Sequence, residues 1–265
     1  MSHLYNACKE GKLELVKKLI NDKRLNINER DRYGFTSFHY VCEDGHLAIV
    51  EILMKDARLE INSQTNYGKT PFHYACEKGH LAIVEILMKD ARLEINIKNK
   101  YGTTPFHLAC WYGRLAIVKI LMKDAHLEIN SQDINGWTPF HYACQDGHFE
   151  IIELLMKDAR LDINSQDNIG WTSFHGACLN GNIKIISLFL NSNRKIYLNI
   201  QSTREYNGYP AGTTAYDILK TKNINLDIVK EKISKNEKLI FYATDGDLLE
   251  LKNLLQRKKF RITFK

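Results

Sequence analysis

The chain has 265 residues, of which 44% are hydrophobic and 26% charged, with only four prolines. This balance supplies a core and excludes disordered or collagen-like chains. The net charge of +6 falls wholly within residues 220–265, which hold 12 Lys/Arg against 6 Asp/Glu, so no basic stripe of the kind that reads nucleic acid runs along the first 219 residues.

Met1-Ser2-His3-Leu4-Tyr5 lacks a basic stretch followed by an apolar one, so no secretory leader is expected. No apolar run reaches the roughly 18 residues that would suggest a membrane span. A cytoplasmic location, with the nucleus as a second compartment, is the expectation. Leu4 to Ile20 reads as two short helices, with Cys8, Gly11, Leu13, Val16 and Leu19 in a register that returns later. Residues 1–30 are thus expected to form an N-terminal cap.

From residue 31 the chain repeats itself every 34 residues. Cys8, Cys42, Cys76, Cys110, Cys144 and Cys178 keep that spacing, as do Thr36, Thr70, Thr104, Thr138 and Thr172, and His39, His73, His107, His141 and His175. A fixed period of this size marks stacked supersecondary units, none of which buries its apolar face alone. The full units are 31–64, 65–98, 99–132, 133–166 and 167–208. In the second, Gly68 suits a turn with positive φ. Thr70 is a helix N-cap and Pro71 the first helical residue. His73 sits three residues past the cap, where it can reach back as in a capping box. Phe72, Ala75 and Cys76 form the apolar side of this first helix, and Gly79 ends it. Leu81, Ile83, Val84, Leu87 and Met88 make the stripe of a second helix. Asp90 to Tyr101 breaks the helical period and is expected to form an extended hairpin.

Between the last full unit and the next, the spacing grows from 34 to 42. The extra residues fall within Asn191–Ala211, a segment containing Tyr206-Asn207-Gly208-Tyr209-Pro210, and are expected to lengthen a hairpin or loop. A degenerate unit at 209–236 opens with Gly212 to Leu219 and has its second helix at Leu226–Ile233. Ile240–Leu255 reads as a C-terminal cap at 237–256, and 257–265 as a basic tail.

The motif T-P-F-H-Y-A-C-x-x-G-H-L, repeated at 34 residues, resembles the ankyrin repeat, whose signature is T-P-L-H-x-A-A-x-x-G-H at a period near 33. Ser37 and Ser173 replace the proline in two units, and each hairpin is one residue longer than the common form. The resemblance implies an all-α solenoid of helix-turn-helix units joined by β-hairpin loops, forming one domain over 1–256. It also implies protein binding through hairpin tips and the concave inner face of the first helices. It places Asn62, Asn96, Asn130 and Asn164 near the hairpin asparagine that members of the family can have hydroxylated.

Other chemistries fit the sequence less well. Equivalent positions in stacked units lie about 8–10 Å apart, beyond the roughly 7 Å a disulfide spans. The cysteines therefore read as small buried hydrophobes in a reducing compartment. C-x-x-x-H recurs at Cys42/His46, Cys76/His80 and Cys144/His148, but four converging ligands are not evident, and Arg114 and Asn182 fill the histidine slot elsewhere. No metal and no cofactor are expected. H-x-x-C in every unit argues against a unique nucleophile, and nucleotide-binding, zinc-protease and serine-hydrolase motifs are missing; no enzyme activity or small-molecule substrate is expected.

The second, third, fifth, thirteenth and fourteenth positions of each unit vary most. They carry the candidate partner contacts Tyr33, Phe35, Tyr67, Lys69, Tyr101, Trp111, Tyr112, Trp137 and Trp171, since aromatic residues dominate interface hot spots. Trp111→Ala and Trp137→Ala are expected to abolish capture while sparing stability. The expected molecule is a monomeric adaptor, scaffold or inhibitor with a protein partner. Association of the basic C-terminal end with nucleic acid or anionic membrane is the alternative.

Overall fold

The structure is a computed structural model that describes residues 3–198 and 200–222. Leu226–Ile233, Ile240–Leu255 and the basic tail lie outside the described residues. The described chain forms helix pairs in series. They are α1 (His3–Lys9) and α2 (Leu13–Ile20), α3 (Ser37–Asp44) and α4 (Leu47–Leu53), α5 (Pro71–Lys78) and α6 (Leu81–Leu87), α7 (Pro105–Trp111) and α8 (Leu115–Leu121), α9 (Pro139–Asp146) and α10 (Phe149–Met156), and α11 (Ser173–Asn180) and α12 (Ile183–Asn191), followed by α13 (Ala215–Thr221). First helices pack on first helices of the neighbouring pairs, and second helices on second helices.

Local chemistry accounts for the short first helices. Thr70 is extended (φ −92°, ψ 166°) and its side chain accepts the His73 N–H. His73 Nδ1 accepts the Thr70 N–H at 3.0 Å. Two orphan donors of the first turn are thereby satisfied. The same box closes where Ser37 and Ser173 stand in for proline, so the threonine and histidine set the start without ring stiffness. In α13, Asp217 takes the histidine's part beneath Thr214. Gly79 ends α5 at φ 89°, a left-handed cap that other residues adopt at a cost.

One continuous core runs through the stack, with Phe38, Phe72, Phe106, Phe140 and Phe174 almost fully enclosed. All six cysteines are free and buried in it. Burial pushes their thiols up, to about 12 at Cys8 and further at Cys110.

The links between pairs depart from the expected extended hairpins. Among the described residues there is no strand, and the only ladder elements are the isolated bridges Gln166–Thr172 and Tyr206–Tyr209. The cause is local. Asp90 accepts the Arg92 N–H at 3.0 Å and its guanidinium at 2.9 Å, folding the segment into a turn closed by Leu93 N–H to Asp90 C=O. A five-residue tip follows, closed in the next unit by Asn99 N–H to Thr103 C=O, and adjacent tips share one backbone bond each, as from Lys100 N–H to Tyr67 C=O.

Four recurring side-chain links then stitch unit to unit. His73 Nε2 donates to the Thr103 carbonyl, 3.0 Å away in the next unit. His80 Nε2 donates back to the Glu43 carbonyl at 2.8 Å; Arg114 does the same toward Glu77. Asn62 is doubly engaged, donating to the Arg92 carbonyl and accepting the Glu94 N–H. Arg92, held by Asp90, donates to the Leu59 carbonyl. These links engage backbone groups at helix ends and turns, in some cases as the second partner of a carbonyl that already closes a tip.

Candidate partner-binding face

The tips are built by the first residue of each unit. Asp133 Oδ1 accepts the N–H groups of Asn135 and Trp137, and Asn99 Oδ1 those of Tyr101 and Thr103. This side-chain turn holds the third residue outward. Tyr33, Tyr67 and Tyr101 accordingly stand exposed at 47, 53 and 51%, one per tip. Ile134, at 59%, adds an apolar tip residue outside the predicted set.

The first-helix face carries the remaining candidates other than Trp171, in two groups. Near the N-terminal end, Phe35 is half-buried between Tyr40 and Tyr74, with ring centroids 5.0 and 5.2 Å away. Lys69 is half-buried too, its ammonium 2.5 Å from Glu77 and over the Tyr74 ring. In the middle, Trp111 stacks on Tyr112 (5.5 Å, 27°) and on Tyr142 (4.6 Å, 24°). Trp111 and Tyr112 remain 37 and 43% exposed. Trp137 meets Tyr142 edge-on at 5.0 Å, while the Tyr142 hydroxyl donates to Asp133 at 2.7 Å.

The matches to known families agree with this geometry. Residues 57–133 and 125–202 match ankyrin repeats in three copies, and residues 21–75 match ankyrin repeats in many copies. The chain belongs to the ankyrin repeat family. No curated protein matches it. Ankyrin repeats are typically protein–protein interaction modules and usually non-catalytic. No helix among the described residues is long and apolar enough to cross a membrane.

Within this ankyrin stack, Trp171 departs from expectation. It is only 3% exposed, because the lengthened loop folds back over it. Tyr206 lies 4.8 Å from its ring and Tyr209 6.4 Å. The loop turns at Asn207 and Gly208, both with positive φ, as a tight hairpin turn requires. Trp171 is thus a core residue of the last repeats and not a solvent-facing anchor. Trp137 is corrected in part: it is half-buried, and its indole N–H donates to Asp167 at 3.0 Å in the following repeat.

Tyr142 belongs to the middle group but lies outside the five most variable positions of the unit, whereas Asp146 is the variable fourteenth residue of its unit without being among the candidate contacts. Tyr142 occupies a position that reads Tyr40, Tyr74, Leu108, Tyr142 and Gly176 along the chain; that variation was the available signal. The histidines and cysteines belong elsewhere. His46, His80 and His148 face carbonyls of the preceding repeat, whereas the cysteines lie inside the core.

Proposed function

We propose that this ankyrin stack is a non-catalytic adaptor, scaffold or inhibitor that captures a protein partner on its first-helix face, centred on Trp111 and Tyr112. The observation that carries this reading is the contrast between those two adjacent, stacked rings and the side chains that build the repeat. The threonines, histidines, asparagines and core aliphatics are consumed in holding the stack together. Among the described residues, the rings of Trp111 and Tyr112 bond to no backbone group, yet they expose large apolar area on a rigid support. Rigid aromatic anchors lose little freedom on binding. The absence of catalysis is supported by chemistry: thiols pushed up by burial and imidazoles pushed down by it form no activated pair. The molecule acts as a monomer inside the cell.

The test is affinity capture with quantitative mass spectrometry on the full chain and on Trp111→Ala. A specific partner should be enriched by the native protein and depleted about tenfold or more by the variant, as for a hot-spot residue, with an unchanged melting curve. Equal capture by both would remove the face from consideration.

A further inference from the structure

We propose that the corner formed by Trp111, Tyr112 and Asp146 takes an arginine side chain of the partner protein. The inference rests on the first-helix face being the partner site and specifies what that face recognises. Asp146 is the last residue of α9, one helical turn beyond Tyr142, whose ring stacks on Trp111, and residues four apart on a helix share a face. Carboxylates earlier on this face are neutralised by the chain itself, Glu77 by Lys69 at 2.5 Å and Glu43 by Lys78 at 3.6 Å. Among the described residues no lysine or arginine forms an ion pair with Asp146. The reason lies in the repeat register. Thirty-four residues either side of Asp146 stand Tyr112 and Asn180, so the register sets no cation beside it. Lys78 and Arg114 flank Tyr112, but Lys78 is turned to Glu43 and Arg114 donates to the Glu77 carbonyl. His148, another group whose charge acts on Asp146, donates to the Trp111 carbonyl at 2.8 Å.

The corner therefore offers an unneutralised carboxylate beside two exposed, near-parallel aromatic rings. Ring faces are electron-rich and attract cations. A guanidinium fits better than an ammonium, because its plane stacks on a ring while its edge presents paired donors to a carboxylate. The rings are already fixed from behind: Trp111 rests on Tyr142, and Tyr142 is tied to Asp133. Little order has to be created when the ligand arrives. Burial already holds the Asp146 carboxyl above its ordinary value, so an incoming cation relieves an existing desolvation cost.

The experiment titrates L-argininamide into the uniformly ¹⁵N-labelled full chain and tracks the indole N–H resonances. The Trp111 signal is assigned by its loss in Trp111→Phe. A saturable shift of that signal is expected, with the Trp171 signal still. Asp146→Asn, which keeps the size and shape of the side chain and removes its charge, should weaken binding about fivefold, the scale of a partly exposed ion pair. Citrullinamide, uncharged and of similar shape, should give no saturable shift, and lysinamide should bind more weakly. No saturable shift, or a response unchanged by Asp146→Asn, or equal binding of citrullinamide or lysinamide, overturns the assignment. Failure here leaves the partner face itself to be judged by capture with Trp111→Ala, which does not depend on the ligand's charge.

Discussion

The histidine three residues past each N-cap does more than a capping box asks of it. With Nδ1 accepting the cap's N–H, the proton must sit on Nε2, where it is donated to the next repeat, as from His107 to the Trp137 carbonyl at 3.1 Å. One neutral ring thus ties a helix start to a neighbouring tip. Burial, more than any other cause, holds His39, His107, His141 and His175 down at about 4 and His73 at about 3. In an unfolded chain the same rings titrate near 6.5. Between pH 6.5 and 4 the unfolded state therefore binds protons that the folded state refuses, and linkage makes stability fall as pH falls through that window. The stability is present in full above 6.5. Urea denaturation from pH 7.5 to 4.5 should show a steep loss of midpoint. His107→Ala should lower stability at pH 7 by about 2 kcal/mol for the lost hydrogen bonds and reduce the pH slope at pH 5 by about one proton. An unaltered slope would place the imidazole's proton elsewhere.

At the scale of the element, Trp137 and Trp171 are the instructive pair. They hold the same place in successive repeats, and the sequence treats them alike. Their surroundings differ because each ring is completed by the repeat after it. Beyond Trp137 comes Asp167, whose carboxylate accepts the indole N–H. Beyond Trp171 the lengthened loop begins, and Ser202 stands at the turn-closing position, its N–H bonded to Thr213 C=O and its hydroxyl accepting the Thr213 N–H and donating to Pro210. The shorter serine leaves the Trp171 indole N–H buried with no hydrogen-bond partner. Trp137→Phe should thus cost about 1–2 kcal/mol by stranding a buried carboxylate oxygen. Trp171→Phe removes a donor that has no acceptor and should cost distinctly less, despite the deeper burial. Chemical denaturation of both variants decides it; the opposite order would show that ring volume outweighs the hydrogen bond. The pair also marks how far the sequence could be read. Periodicity, caps and the cysteine column were legible, because they depend on residues within one repeat. Exposure of Trp171, and the bonds from histidine and asparagine to carbonyls about 30 residues on, were not, because a backbone acceptor has no residue type and a covering loop breaks the period.

Across the whole molecule, the histidine, asparagine and arginine links all join adjacent repeats, so stability is a sum of nearest-neighbour terms. Such a stack can be severed at one joint. Gly102 lies at a tip with φ 74°, and a Cβ there would meet the Asp133 Cα at 2.9 Å, backbone of the next repeat. Gly212 has φ 87° with nothing within 4 Å of the added atom. Alanine at either site carries the left-handed penalty of about 1 kcal/mol. Only Gly102→Ala also forces two repeats apart, where one tip-to-tip bond, from Ile134 N–H to Tyr101 C=O at 3.0 Å, spans the joint. Gly212→Ala should lower the midpoint slightly and keep a single transition. Gly102→Ala should uncouple the stack, giving a broader transition with a smaller denaturant dependence. Hydrogen exchange should then divide the amides into two groups, split between residues 99–104 and 133–138. Because Trp111 and Tyr112 lie on one side of that joint and Tyr142 and Asp146 on the other, the same substitution should weaken argininamide binding without touching any residue of the corner. If exchange stays uniform and the transition stays sharp, coupling must reach beyond neighbouring repeats through the shared core.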